Sequence, residues 1–404
     1  MTSSQCVRRG CIAGPRSFVS FAAATALLGG CGLDSENGTD APHVDELPRL
    51  SYVEEIRIGS LDDPDEGFSR IGALAVADDG TLYVLESQAR EVRVFGPDGR
   101  RLATRGRSGQ GPGEFTRPAA IGLIGDTLWV RDAGNGRISW FDPEGSLVHE
   151  THGIRLPVET DVPGMTLGVV IGDPRPDGFV GSSYTRTMGG GAADRPFHVP
   201  IVRFDRQGTV VDTLRWDTVD IGPTVRVGGR PLHPPGLRPR SPVIEQLGDD
   251  RLEVRWSGEA GLVEILRLAA SGDTAARTGL RYEPLPLPAH VRDSLLDSHE
   301  GMGSLYGVSD AELVAAMASG LELPGQRPPI RSTRVGRDGS LWIELNRPSL
   351  DSADWVVLGP ELTPRGRATL PLRMTPRHID RSIFWAVELD ELDVPWLVRL
   401  RVVE

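Results

Sequence analysis

The chain repeats itself at an offset of 46 residues. Thr81-Leu82-Tyr83-Val84 returns as Thr127-Leu128-Trp129-Val130, Val92-Arg93-Val94 as Ile138-Ser139-Trp140, and Phe95-Gly96-Pro97-Asp98-Gly99 as Phe141-Asp142-Pro143-Glu144-Gly145. A period of 20–50 residues marks a supersecondary unit that buries its faces against its own copies. Within each unit apolar and polar residues alternate, the period-2 pattern of half-buried strands, and Pro-Asp-Gly or Pro-Glu-Gly supplies the tight turn to the next strand. Weaker copies follow: Gly178–Gly181 with Ile201–Gly208, Asp250–Val254 with Leu262–Leu268, Asp338–Ile343 with Trp355–Leu358, and Ser382–Val387 with Trp396–Leu400. That makes six units. Three stretches, 185–197, 217–241 and 279–329, fit none of them and read as insertions; without them residues 51–404 hold 265 residues, about 44 per unit. Four-stranded propeller blades take ~40–45 residues. The reading is all-β: a six-bladed β-propeller with a small helical insertion.

Two of the units carry a more specific signature. Gly109-Gln110-Gly111-Pro112-Gly113-Glu114-Phe115, then Pro118, then Asp132, Asn135, Arg137 and Phe141-Asp142 resemble an NHL-type propeller repeat, and Glu66–Arg70 is a degenerate copy of Gly113–Arg117. The resemblance covers residues 104–148 and fades beyond about residue 215. At the matching position of such repeats, polar groups tie a turn together. Asp132, Asn135 and Arg137 are therefore read as a structural repeat motif, with Glu86 as the aligned acid one unit earlier.

The sixth unit has three strands, while Val53–Ile58 is an orphan strand ahead of the first. That segment is expected to pair with residues 396–403 and close the ring, removing an edge that would invite aggregation. In a blade whose strands run from the axis outward, the connection between second and third strands and the connection to the next blade emerge on one face. All three insertions fall on such connections, and long loops on a rigid scaffold commonly carry function. Ser309-Asp310-Ala311-Glu312 has capping-box spacing before Leu313, Val314 and Met317, which predicts a helix ended by Gly320 and Pro324. Val291–Leu296 is a second, shorter candidate. The stretch 217–241 holds Arg226, Arg230, His233, Arg238 and Arg240 with no acid after Asp220. Because Arg pairs bidentately with carboxylate or phosphate, these five form the candidate ligand face.

The N-terminus supplies an address. Arg8, Arg9 and Arg16 precede the apolar run Phe18–Leu28, too short to span a bilayer but suited to a secretory signal. It ends in Leu28-Gly29-Gly30-Cys31, which resembles the lipobox of bacterial lipoproteins. The resemblance implies cleavage before Cys31 and lipidation of its thiol. The chain then divides into a signal peptide (1–30), a lipidated Cys with an acidic tether (31–50) and the propeller (51–404). Cleavage removes Cys6 and Cys11 and lipidation occupies Cys31, so no thiol remains for a disulfide. The expected location is exported and membrane-anchored through the N-terminal lipid, at the outer membrane or facing the periplasm.

All 44 basic residues are Arg, and the formal charge is −12, falling to −15 once Arg8, Arg9 and Arg16 are removed. Such a balance argues against a nucleic-acid partner. No HExxH, paired Cys, Walker loop or Gly-x-Ser-x-Gly elbow is present, and His149 and His152 are spaced to face opposite sides of a strand. The expectation is a monomeric, non-enzymatic binding module without a metal or cofactor, its partner a protein or small anionic ligand. The alternative, by resemblance of fold class, is a lactonase-like metal-dependent hydrolase, which would need Ca²⁺ or Zn²⁺ held by axial acids.

Overall fold

A computed structural model describes residues 41–403 apart from 64–65, 153–168, 176–177, 184–196, 208, 220–224, 228–229, 233–242, 258–260, 298–300 and 321–324. Apolar alternation becomes twenty-six strands: β1 (Arg49–Ile58), β2 (Ile71–Val76), β3 (Leu82–Glu86), β4 (Glu91–Phe95), β5 (Arg101–Arg105), β6 (Pro118–Ile124), β7 (Thr127–Asp132), β8 (Arg137–Phe141), β9 (Leu147–His152), β10 (Val169–Arg175), β11 (Gly178–Ser183), β12 (Phe197–Phe204), β13 (Val210–Val219), β14 (Val225–Val227), β15 (Arg230–Leu232), β16 (Val243–Leu247), β17 (Asp250–Ser257), β18 (Leu262–Leu268), β19 (Thr274–Arg281), β20 (Ile330–Val335), β21 (Leu341–Leu345), β22 (Ser352–Leu358), β23 (Pro364–Pro371), β24 (Met374–Asp380), β25 (Ile383–Leu389) and β26 (Pro395–Val403). Helices α1 (Ala289–Asp297), α2 (Gly303–Tyr306) and α3 (Asp310–Gly320) lie between β19 and β20.

The strands form a propeller-like arrangement. Four antiparallel four-stranded sheets, β2–β5, β6–β9, β10–β13 and β16–β19, are joined by an eight-stranded sheet in the order β20-β21-β22-β23-β1-β26-β25-β24. In the sheets β2–β5 and β6–β9 the repeated sequence segments supply the second and third strands, where burial is deepest: every residue of β3 and β8 is buried. The Pro-Asp-Gly and Pro-Glu-Gly turns place Gly99 and Gly145 at φ +84° and +92°, a backbone region an L side chain rarely adopts. First strands sit side by side, β2 against β6, β6 against β10, β16 against β20, β20 against β24 and β24 against β2.

Cores form between facing sheets. One apolar cluster joins β2–β5 to β6–β9 through Leu85, Val92, Phe115 and Val130, and another joins β16–β19 to β20–β23 through Val254, Ile265, Ile343 and Val356. A further cluster packs Trp385, Val387 and Leu397, from the end of the chain, against Phe68, Leu82 and Phe95 from its beginning. The last sheet therefore shares a dry interface with the first.

Val53–Ile58 pairs antiparallel with the C-terminal strand, Val53 opposite Arg401 and Ile58 opposite Leu397. The pairing slips between Glu54 and Ile56, leaving Glu55 as a bulge whose carboxylate accepts from Arg399 (3.1 Å) and Arg401 (2.6 Å). A one-residue slip exchanges the faces of a strand. Leu50 and Tyr52 accordingly pack on one apolar cluster and Ile56 and Ile58 on another, while Val53 stays 46% exposed instead of covering the sheet.

Two boundaries need correction. The acidic tether was expected to run to residue 50, but residues 41–50 belong to the folded body. His43 forms a parallel bridge to Arg281, Val44 and Leu47 are buried among residues of β17–β22, and Arg49-Leu50 pair in parallel with Arg367-Ala368. The insertions are also shorter than the expected 217–241 and 279–329, because β13 continues to Val219 and β19 to Arg281. The stretch 185–197 lies outside the described residues except for Phe197, which opens β12.

Candidate functional site

The NHL-like residues form a clamp. Asp132 is fully buried and accepts from the N–H groups of Thr116 (2.7 Å), Arg117 (2.8 Å) and Gly134 (2.9 Å). Asn135 donates to Gly109 O and Glu114 O, both at 3.2 Å, and accepts from the Thr116 hydroxyl (2.6 Å). The Arg137 guanidinium donates to Gln110 O, Gly111 O and Glu114 O and pairs with Glu150 at 3.1 Å. One sheet earlier, Glu86 receives Ser69 N and Arg70 N, both at 2.9 Å, and Arg93 reaches Gly67 O. These groups are consumed in holding linkers to strands.

The arginine-rich stretch is divided. Arg226 is exposed on β14, between the buried Val225 and Val227. Arg230 begins β15 and its backbone pairs with Val227. His233, Arg238 and Arg240, like Cys31, lie outside the described residues. What the sequence did not indicate is that the two insertions meet: Val225 and Val227 share a small core with Leu313 and Met317 of α3, flanked by Leu296, Met302 and Val308. The predicted capping box closes as drawn, Glu312 N donating to Ser309 Oγ (3.2 Å) and Ser309 N to the Glu312 carboxylate (3.0 Å).

A cleft of about 290 Å³ opens at the base of the larger insertion. The two ends of that insertion are zipped together, Arg327 N to Leu285 O at 2.7 Å and Leu287 N to Gly325 O at 3.1 Å. The cleft is lined by Tyr282, Glu283, Leu285 and Arg327 from the ends of the insertion, by Asn346 and Arg347 from the β21–β22 loop, and by Asp45 from the N-terminal segment. Asp45 accepts from Arg347 (2.7 Å) and from the buried Arg367, and the Arg347 guanidinium, ahead of other causes, holds its carboxyl below the usual carboxylate range. Arg347 also reaches Asp354 at 3.3 Å. The side chains of Arg327, Asn346 and Glu283 have no such partners among the described residues. The cleft thus offers one cation, one amide and one carboxylate over apolar walls, a set that recognises polar ligands by hydrogen bonds. Among the described residues its lining holds no Ser, Cys or His.

A second polar group, which the sequence reading missed, lies on the first strands β16, β20 and β24. Thr333 donates its hydroxyl to Glu245, and Arg334 donates to Pro376 O at 3.3 Å and to Thr333 O at 2.6 Å. Burial raises the Glu245 pKa and lowers that of His378 to about 4. Arg377 is exposed, yet enough protein surrounds it that burial, with help from Arg334, lowers its pKa. Among the described residues no group of three or more His, Cys, Asp or Glu side chains is placed to hold a metal ion.

No protein-family model and no curated protein sequence matches the chain. Solved structures do. A Bacteroides fragilis protein called exported only by inference aligns at TM-score 0.46 and 13% identity, covering 91% of this chain and 98% of its own. Virginiamycin B lyase from Staphylococcus aureus aligns at TM-score 0.38 and 13% identity over 88% and 99%. A member of the DUF4221 family from Bacteroides vulgatus aligns at 0.43 and 8% over 88% and 99%. At these scores and identities none of the three assigns an activity to this chain.

Proposed function

We propose that the protein is an exported, lipid-anchored binding module built on a six-bladed propeller of NHL type, and that its ligand occupies the cleft between Arg327 and Asn346. The count of six treats the eight-stranded sheet as two blades, β20–β23 and β24-β25-β26-β1. Among the described residues the strand pairing between them is the two-residue parallel contact of Arg49-Leu50 with Arg367-Ala368, whereas strands within each half pair over most of their length. The anchor rests on Leu28-Gly29-Gly30-Cys31 behind its apolar run. The observation that carries the binding role is the cleft, a preformed concavity whose lining includes Arg327, Asn346 and Glu283, side chains without hydrogen-bond partners among the described residues. The basic residues Arg226, Arg230, His233, Arg238 and Arg240 belong to the insertion that packs on the one forming this cleft, and they are proposed to draw an anionic partner toward that face.

The test uses the intact chain purified in detergent. Native mass spectrometry is expected to show a small-molecule adduct that Arg327→Ala and Asn346→Ala both remove, with no stoichiometric divalent ion. Cys31→Ser is expected to release the folded protein from salt-washed membranes. A stoichiometric Ca²⁺ or Zn²⁺ accompanied by lactone hydrolysis would overturn the binding role in favour of the hydrolase, and membrane retention of the Cys31→Ser protein would overturn the anchor.

A further inference from the structure

The inner strands hold a second cluster of polar side chains. β24 is the free edge of its sheet and lies against β20 and β2. Its pairing with β25 slips between Pro376, opposite Ala386, and His378, opposite Trp385, so Arg377 is the extra residue of a bulge. Bulges re-aim a side chain out of the strand's alternation and are over-represented beside functional sites. Neighbouring arginines are engaged: Arg331 pairs with Glu344, Arg337 with Asp78 and Arg373 with Asp393. Arg377 has no acceptor among the described residues. Arg334 stands beside it, using two donors on backbone carbonyls. The nearby carboxylate, Glu245, accepts the Thr333 hydroxyl and lies close enough to Arg334 to feel its charge, whereas no carboxylate pairs with Arg377 among the described residues. Arg334, bonded to the carbonyl of the residue before the bulge, and the exposed Arg377 thus bring two guanidiniums with donors to spare to the same sheet edge. Like charges at close range cost energy unless an anion lies between them, and the guanidinium fork matches the two oxygens of a carboxylate or phosphate.

We propose that Arg334 and Arg377 form a receptor for a small oxyanion, the carboxylate or phosphate of a small molecule, on the inner strands and separate from the cleft at Arg327. Calorimetric titration of the intact chain in detergent, with inorganic phosphate and separately with succinate, tests it. Saturable one-to-one binding of at least one of the two is expected, and whichever binds tighter identifies the oxyanion. Arg377→Gln should weaken it about tenfold or more, and Arg377→Lys, which keeps the charge but not the fork, by less. Arg327→Gln should leave it unchanged, which separates this site from the cleft. Since Arg377 makes no hydrogen bond or ion pair among the described residues, its variants should melt at the wild-type temperature in the absence of anion. The proposal is overturned if neither anion saturates below about 10 mM, if Arg377→Gln titrates like wild type, or if Arg327→Gln removes the binding instead.

Discussion

Replacing Asp132 by Ala puts a number on the repeat motif. Asp132 is fully buried, and its two oxygens take the N–H groups of Thr116, Arg117 and Gly134 at 2.7–2.9 Å. Truncation leaves three donors without an acceptor, each costing about 1–3 kcal/mol if it stays dry. The linker can relax enough to hydrate part of them, so a total of about 3–5 kcal/mol is expected. A body of about 360 residues unfolds with an entropy near 2.1 cal/mol/K per residue, so each kcal/mol moves Tm by about 1.3 °C. Asp132→Ala should therefore melt about 4–7 °C below wild type, and Asp132→Asn, which keeps one acceptor, by about half of that. Glu86→Ala should produce a loss of the same kind, since Glu86 holds Ser69 and Arg70 in the preceding sheet. The two clamps share no partner, so their losses should add in the double variant. Thermal melts followed by circular dichroism at pH 7 measure this. An Asp132→Ala protein melting within about 1 °C of wild type would refute the clamp.

Two further outcomes follow from packing and charge. Burial keeps the His378 imidazole neutral down to about pH 4. Below its ordinary value of about 6.5 the unfolded chain takes up a proton that the folded chain refuses, so stability falls between pH 6.5 and 4 by up to about 3 kcal/mol. His378→Gln should flatten that limb of the Tm–pH curve, and an unchanged slope would show that other groups govern it. Met317, fully buried between α3 and the β14–β15 hairpin, should act locally. Met317→Asp is expected to make the insertions sensitive to protease while β2–β9 keep their hydrogen-exchange protection, and global unfolding instead would mean that the insertions are part of the main core.

The second and third strands of each unit were legible because both faces are covered, so apolar residues recur without interruption and Pro-x-Gly turns punctuate them. First strands were harder. Val243-Ile244-Glu245-Gln246-Leu247 is half-buried, and bulges in β2, β6, β20 and β24 break the alternation on which a strand reading depends. The N-terminal segment misled for a different reason. Val44 and Leu47 flank Asp45 and Glu46, so composition suggests a solvated tether, yet both apolar residues insert between sheets and Asp45 finds two arginines. The β14–β15 hairpin did leave a signal, Gly228-Gly229 between Val225-Arg226-Val227 and Arg230-Pro231-Leu232, overlooked in favour of its charge. Arg334 and Arg377 could not be associated from sequence. They are 43 positions apart on different strands, and only a bulge with no internal partner distinguishes Arg377 from the other arginines.

The distribution of arginine bonds separates what holds this fold from what is free to act. Arg137 and Arg93 spend their donors on linker carbonyls, and Arg347 and Arg367 spend theirs on Asp45 and Asp354, which fastens the N-terminal segment to the sheets. Arg347 lines the cleft but is already neutralised there by Asp45, so any attraction for an anion in that cleft must come from Arg327 against the opposing charge of Glu283. A ligand seated between them would need both a negative and a positive group, or a hydroxyl able to serve each. The inner pair is less balanced: Arg334 has Glu245 nearby, while Arg377 has no acceptor among the described residues. The two proposed sites thus differ in charge preference: the cleft would take an anionic partner only if that partner also offers a cationic or hydroxyl group to Glu283, whereas the receptor proposed on the inner strands would take a simple oxyanion.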